Sequence, residues 1–195
     1  PDMAMIAEIM LMSEGFKDAK SLAKKMVTLY QLMVQQLSKQ DHYDFGLRAI
    51  RSVLNRAGSL KRADPDLPEQ ELLMRAIRDM NVPKFVAEDL PLFEALLSDL
   101  FPGLELPEPE YGKLQEAIEA VLDEMGLQKV PQIIKKTIQV YETKLTRHGN
   151  MIVGLTLSGK STCWHVLQQA MTALAKQGVP DFEAVKTYVI NLKSI

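Results

Sequence analysis

One stretch limits the possible architecture of this chain more than any other: Met151-Ile152-Val153, followed by Gly154-x4-Gly159-Lys160-Ser161-Thr162. Three apolar residues read as the end of a short buried strand, and the spacing after them fits the loop that joins such a strand to a helix. Glycine lets the main chain turn tightly and approach a ligand closely. The N–H groups from Leu155, Thr156, Leu157 and Ser158 to the helix start then face a concavity where the helix dipole favours negative charge. Lys160 adds a cation for β- and γ-phosphates, and the Ser161 hydroxyl suits Mg2+. The pattern therefore points to ATP or ADP with Mg2+. An ordinary surface strand-to-helix turn is the competing reading, because Leu155-Thr156-Leu157 lacks the extra glycine or proline common inside such loops.

Composition narrows the class without naming a partner. Of 195 residues, 47% are hydrophobic and 25% charged, enough apolar chain for a sizeable core in one large or two small domains. The 23 basic and 25 acidic residues are mixed along the sequence, so no basic stripe points to nucleic acid or an anionic membrane. Cys163 is the single cysteine, which excludes an intrachain disulfide and reads as helix packing. Met3 to Met12 is apolar, but Asp2 and Glu8 interrupt it and no basic segment precedes it, so it reads as a core helix rather than a signal or a membrane span. The chain begins at Pro1 and stops just after a possible strand, as expected of a piece of a longer polypeptide.

Helical periodicity dominates the rest. Residues 4–13 and 18–38 each predict a helix, the second with Leu22, Met26, Leu29, Met33 and Leu37 on one face. The methionines across both segments read as core filler. Leu47, Ile50, Leu54 and Ala57 predict a helix that ends at Gly58, with Arg48 in its first turn, where the dipole disfavours a cation. Arg48 thus asks for an anion, and a surface salt bridge satisfies the residues alone. His42 has no metal-ligand spacing with His148 or His165. Lys61 to Glu69, with Pro65 and Pro68, reads as a linker. Helices over 71–80 and 87–100 follow, separated by Asn81-Val82-Pro83-Lys84-Phe85. Ala120-Val121-Leu122-Asp123-Glu124 imitates an acidic strand end, but the 3.6-residue period runs through it and Gly126 caps it as a helix. Pro131 starts the next helix, with Ile134, Ile138, Tyr141 and Leu145 expected on its buried face. After the helix 159–176, a short helical segment and a strand through Tyr188, Val189 and Ile190 are expected.

The order of these parts, a helical lid with an arginine after a glycine, a linker, a helical lead-in and a phosphate loop, resembles two successive modules of an AAA+ ATPase ring. The wording is more specific still. His42-Tyr43-Asp44-Phe45-Gly46-Leu47-Arg48, Asn81-Val82-Pro83-Lys84-Phe85, Asp89-Leu90-Pro91-Leu92-Phe93, Ser98-Asp99-Leu100-Phe101-Pro102-Gly103 and Arg147-His148-Gly149 resemble the dynein heavy chain family, from the lid of the first AAA module into the second. The resemblance covers essentially the whole chain, and the wording from Leu106 to Tyr111 is closer to axonemal members. It departs at Asn191-Leu192-Lys193, where the family has Asn-Pro-Lys.

The resemblance implies a mainly α fold: a helical AAA+ lid over 1–66, a linker and helical lead-in over 67–149, and the first β-α-β portion of an α/β P-loop domain over 150–195. It implies that Arg48 is a lid sensor reaching the γ-phosphate of the preceding site, which reverses the reading of that residue taken alone. Gly154 to Thr162 would be the nucleotide loop of the second module, with Val82 and Pro83 near its adenine. It further implies an ATP-driven microtubule motor in the cytoplasm and cytoskeleton, in a cilium or flagellum axoneme. Its partners would be other AAA+ modules of the same heavy chain, the microtubule, and dynein intermediate and light chains. The first module is the main hydrolytic site in this family, and the second chiefly binds nucleotide and transmits closure of the ring. Lacking the first module's phosphate loop and an Asp-Glu strand after its own loop, the chain alone is not expected to hydrolyse ATP. A small P-loop kinase-like phosphotransferase and a helical scaffold with a chance match are the alternatives.

Overall fold

A computed structural model of the chain describes residues 2–104, 111–146 and 149–191. Eight α-helices account for most of them: α1 Met3–Ser13, α2 Ala19–Gln36, α3 Leu47–Ala63, α4 Glu69–Asn81, α5 Leu90–Leu100, α6 Gly112–Glu124, α7 Pro131–Thr146 and α8 Lys160–Lys176, with a 3-10 turn at Val82–Lys84. The fold is therefore mainly helical. It divides into two compact units, Pro1–Pro107 and Glu108–Ile195.

The first unit is built on α1 to α5. The apolar stripe of α2 (Leu22, Met26, Leu29, Met33) is fully buried, as are Ile50 and Leu54 of α3, Leu72, Leu73 and Ile77 of α4, and Phe93 and Leu97 of α5. Each such side chain contributes about 1.5–3 kcal/mol by leaving water. Met26 and Met33 fill this core, whereas Met5, Ile9 and Met12 of α1 lie exposed, because α1 is apolar on nearly every side and buries only Ala7 and Leu11. The expected end of α3 at Gly58 is not observed. The helix continues to Ala63, and a Cβ at Gly58 would lie 1.9 Å from Glu14 Oε2. Gly58 is thus a point of close approach, where Glu14 of the α1 C-cap comes in to pair with Arg62.

Lys61 to Glu69 joins helices of one core. Glu69 accepts the Lys17 N–H (2.8 and 2.9 Å) and the Asp18 N–H (2.9 Å) and pairs with Lys61. Burial raises its pKa, but the Asp18 N–H, Lys61 and the Lys17 N–H outweigh this and leave the carboxyl below its ordinary value. The first residue of α4 therefore fixes both the entry to α2 and the end of α3.

In the second unit α6, α7 and α8 pack together through Leu114, Ile118, Leu122, Ile134, Tyr141, Val166, Leu167 and Ala170. Gly126, at φ +67°, closes α6 with Leu127 N–H donating to Leu122 C=O at 2.8 Å, so Asp123 and Glu124 belong to a helix end. Leu145, expected in the buried face of α7, is 59% exposed. Residues 151–153 and 188–190, expected as strands, adopt no ladder, and most of these side chains are well exposed. A strand needs neighbours for its N–H and C=O groups, and a lone pair of strands is marginal in water. The short helix expected after Pro180 is also absent among the described residues. There the chain runs along α8: Val185 N–H donates to Thr172 Oγ1 (3.2 Å), Gln168 Nε2 donates to Val185 C=O (3.0 Å), and Phe182 stacks on Tyr141. Side chains of α8 take over main-chain bonds that a helix would have made internally.

Asp89 is the buried carboxylate of the first unit among the described residues. It is 7% exposed and accepts from Ser38 N–H (3.1 Å), Ser38 Oγ (2.6 Å) and Tyr43 Oη (2.7 Å). Burial pushes its pKa up, and these donors more than reverse that, leaving it below the ordinary carboxylate range. A lowered folded pKa means that the stabilisation is present above the unfolded value of about 3.9 and is lost as pH falls through the folded value. Asp89→Asn should cost about 2 kcal/mol at pH 7 in urea unfolding, and the gap to wild type should shrink steadily below about pH 4. A gap independent of pH would show that the charge of Asp89 is not what stabilises this junction.

Candidate functional site

The phosphate-loop pattern sits at the start of α8. Gly159, in the left-handed region at φ +83°, turns the chain into the helix, and a Cβ there would lie 3.1 Å from Ile133 Cδ1 of α7. Two constraints thus meet at one residue, a positive φ and a close neighbour. Cys163 N–H donates to Gly159 C=O at 3.0 Å, and Cys163 itself is buried. Among the described residues no side chain caps α8, and the first N–H groups of an α-helix have no acceptor within it. Ser161 is exposed and Thr162 half-buried in that first turn.

The loop before the helix folds around Lys160. Its ammonium donates to Gly154 C=O at 2.9 Å and to Leu155 C=O at 2.5 Å, while Ser158 N–H closes a turn onto Leu155 C=O at 3.2 Å. A Cβ on Gly154 would meet Ser158 Oγ at 2.8 Å, so a side chain there would have to turn the serine hydroxyl aside. Gly154, Leu155, Ser158 and Lys160 are therefore drawn together within the loop. Leu157 is 99% exposed and has φ +67°, a conformation that costs an L-residue roughly 1–2 kcal/mol. The position where the sequence lacks an extra glycine is the position whose backbone calls for one.

The other expected site residues lie in the first unit. Arg48 stands in the first turn of α3, 87% exposed, with Nε and Nη2 each 3.0 Å from Asp44 Oδ2. The other oxygen, Asp44 Oδ1, accepts the Gly46 N–H at 3.0 Å. The Gly46 N–H is the main cause that lowers the Asp44 pKa; burial opposes it, and Arg48 and then Lys84 lower it further. Val82 and Pro83 form the 3-10 turn, whose Lys84 C=O accepts from His42 Nε2 at 2.8 Å. A carbonyl can only accept, so Nε2 carries the proton. The Arg48-bearing segment and the Val82–Lys84 turn are held side by side by that bond and by Val86 N–H to Tyr43 Oη (2.9 Å). Arg147 and His148, residues 106–110, and Leu192 and Lys193 lie outside the described residues.

Reading the sequence residue by residue did not single out Asp44 or Ile133. Asp44 was legible in principle, four positions before Arg48, the spacing at which opposite charges meet on a helix. Ile133 was not, since its contact with Gly159 is made between two helices.

Comparison with known proteins bears on the chain as a whole. The family model described as the hydrolytic ATP binding site of the dynein motor region matches residues 1–161. Dynein axonemal heavy chain 2 of Homo sapiens is 50% identical over 100% of this chain, and dynein axonemal heavy chain 10 of Homo sapiens 53% identical over the same span. The dynein-1-beta heavy chain of the flagellar inner arm I1 complex of Chlamydomonas reinhardtii is 54% identical over 98% of it. In each case the match covers 4% of the relative's own length.

The backbone values of the loop give a test with two signs. Leu157→Gly should raise the unfolding free energy by about 0.5–1 kcal/mol, and Gly159→Ala should lower it by about 1–2 kcal/mol. Urea denaturation of the two variants beside wild type checks this; a loss of stability in both would show that the φ at Leu157 carries no strain. With a family model matching most of its length and relatives about half identical throughout, this chain belongs to the dynein heavy chain motor-region family.

Proposed function

We propose that this chain is the part of a dynein heavy chain ring that joins one ATP site to the next. Residues 1–66 would be the helical lid of the first AAA+ module, 67–149 the linker and lead-in, and 150–195 the opening of the second module's P-loop domain. Arg48 would serve as the lid sensor toward the γ-phosphate of the preceding site. The nucleotide loop of the second module would comprise Gly154, Leu155, Thr156, Leu157, Ser158, Gly159, Lys160, Ser161 and Thr162, with Val82 and Pro83 toward its adenine.

The observation that carries the nucleotide reading is the loop itself. A Cβ at Gly154 would press on the Ser158 hydroxyl, the helix N-terminus that follows carries no side-chain cap, and Lys160 folds back onto the loop carbonyls. That donor set suits a polyphosphate: N–H groups and an ammonium for oxygens, and a hydroxyl at Ser161 for Mg2+. Bound Mg2+ would supply charge neutralisation between the phosphates. Lys160 would exchange its bonds to Gly154 and Leu155 for phosphate oxygens, and a charged acceptor makes the stronger bond.

For the parent protein we infer an ATP-driven microtubule motor of the axonemal type, in the cytoskeleton of a cilium or flagellum. Its partners would be the other AAA+ modules of the same chain, the microtubule through distant parts of the chain, and intermediate and light chains. Nucleotide at the second module would be held rather than turned over by these residues, since hydrolysis needs an acidic group to place Mg2+ and water. Lys160→Ala in a heavy-chain motor should weaken Mg-ATP or Mg-ADP binding at the second module at least tenfold by calorimetry, about 1.4 kcal/mol. Unchanged affinity would overturn the assignment of this loop.

A further inference from the structure

We propose that Asp44 is the positioning residue for Arg48: a carboxylate fixed by the backbone that holds one edge of the guanidinium and leaves the other for an anion. The inference rests on the reading of Arg48 as the lid sensor and adds to it the group that aims the side chain.

The geometry carries the assignment. The Asp44 carboxyl is not merely half of a floating surface pair. Its Oδ1 is tied two residues on by the Gly46 N–H at 3.0 Å, just before α3 begins at Leu47. Such an Asx turn fixes the carboxylate relative to the helix axis whether or not an arginine is present. Its Oδ2 then takes Nε and Nη2 of Arg48, both at 3.0 Å. Only one edge of the planar fork is used in these bonds, and Nη1 remains available on the other. At 87% exposure Arg48 would otherwise sample many rotamers, and arginine has among the largest side-chain entropies. The carboxylate also offsets the unfavourable position of a cation in the first helical turn.

As a contribution to fold stability the pair is weak, because it is exposed and spaced i,i+4 on solvent. Its consequence is orientation. A guanidinium held by its Nε edge approaches a phosphoryl oxygen with less freedom left to lose, so the benefit falls on the step in which that oxygen gains charge. The charge of Lys84 adds to that of Arg48 in lowering the Asp44 pKa, so the carboxylate keeps its charge.

The test uses a full-length dynein heavy-chain motor of this family carrying Asp44→Asn, Arg48→Ala or both, with ATP turnover read as kcat and KM. Asparagine keeps the Oδ1 acceptor for the Gly46 N–H and so preserves the turn, but it offers Arg48 no carboxylate. We expect Arg48→Ala to lower kcat at least tenfold and Asp44→Asn to lower it about threefold with KM nearly unchanged. The double variant should match Arg48→Ala alone. Full turnover in Asp44→Asn beside an impaired Arg48→Ala would overturn the positioning role and leave the sensor reading standing. An equal further loss from Asp44→Asn in the Arg48→Ala background would also overturn it, because the effect would then not pass through Arg48. Normal turnover in Arg48→Ala would overturn the sensor reading itself and this inference with it.

Discussion

The arrangement of the first unit depends on burying one carboxylate in a way that keeps it charged. An isolated carboxylate taken out of water costs many kcal/mol and would take up a proton instead. Asp89 avoids this because three donors, two from Ser38 and one from Tyr43, converge on it. Its position makes the arrangement informative. Asp89 is the N-cap residue of α5, where aspartate ordinarily caps its own helix, yet its side chain makes no cap bond. The bonds it would have given α5 go to the end of α2 and to the segment that carries Arg48. Around it Tyr43, Phe45, Phe85 and Phe93 meet edge to face or tilted, with ring centroids 4.9 to 6.1 Å apart. The polar junction is thus sealed by an aromatic cluster, and the low dielectric there strengthens each bond.

That junction explains why the helical part was readable and what was read. The words that identified the family, His42 to Arg48, Asn81 to Phe85 and Asp89 to Phe93, are distant in sequence and close in space. Periodicity, helped by the Gly and Pro that bound each stretch, found all eight helices, because an amphipathic stripe is a local property of the sequence. It failed at Gly58, where the reason for glycine is the Glu14 side chain arriving from another helix. It failed also at Leu145, in the last turn of α7, where an apolar residue on the expected face stays 59% exposed: periodicity assigns a face and not the neighbour that covers it. The exposed Met5, Ile9 and Met12 show the same limit, since α1 is apolar enough to suggest burial on every side and its neighbours cover only one.

The strand expectations failed for a different physical reason. Val153 and Val189 have the β-branched character of strand residues, and that character describes fitness for a pleated, half-buried surface rather than a preference of the backbone alone. A helix closes its own hydrogen bonds, so it can form wherever one face is buried. A strand borrows its bonds from neighbours. Among the described residues none supplies a ladder for 151–153 or 188–190, and these segments stay irregular while α8 between them is regular.

This asymmetry sets how the phosphate loop is organised. Its helix side is fixed by packing within the second unit: Gly159 lies against Ile133 of α7, and α8 buries Val166, Leu167 and Ala170 against α6 and α7. The uncapped N–H groups of the first turn are therefore held in place before any anion arrives. On the other side the Lys160 ammonium holds the Gly154 and Leu155 carbonyls, bonds that would be given up if, as proposed, Lys160 turned to a phosphate. Fixing an otherwise loose backbone costs on the order of 1 kcal/mol per residue, so that exchange would draw on the ligand's own binding energy unless a sheet holds 151–153 instead. On the proposed reading of this loop, tight nucleotide binding would therefore call for strand partners for Ile152 and Val153. The same sheet that would order them would also cover the apolar surface they now expose.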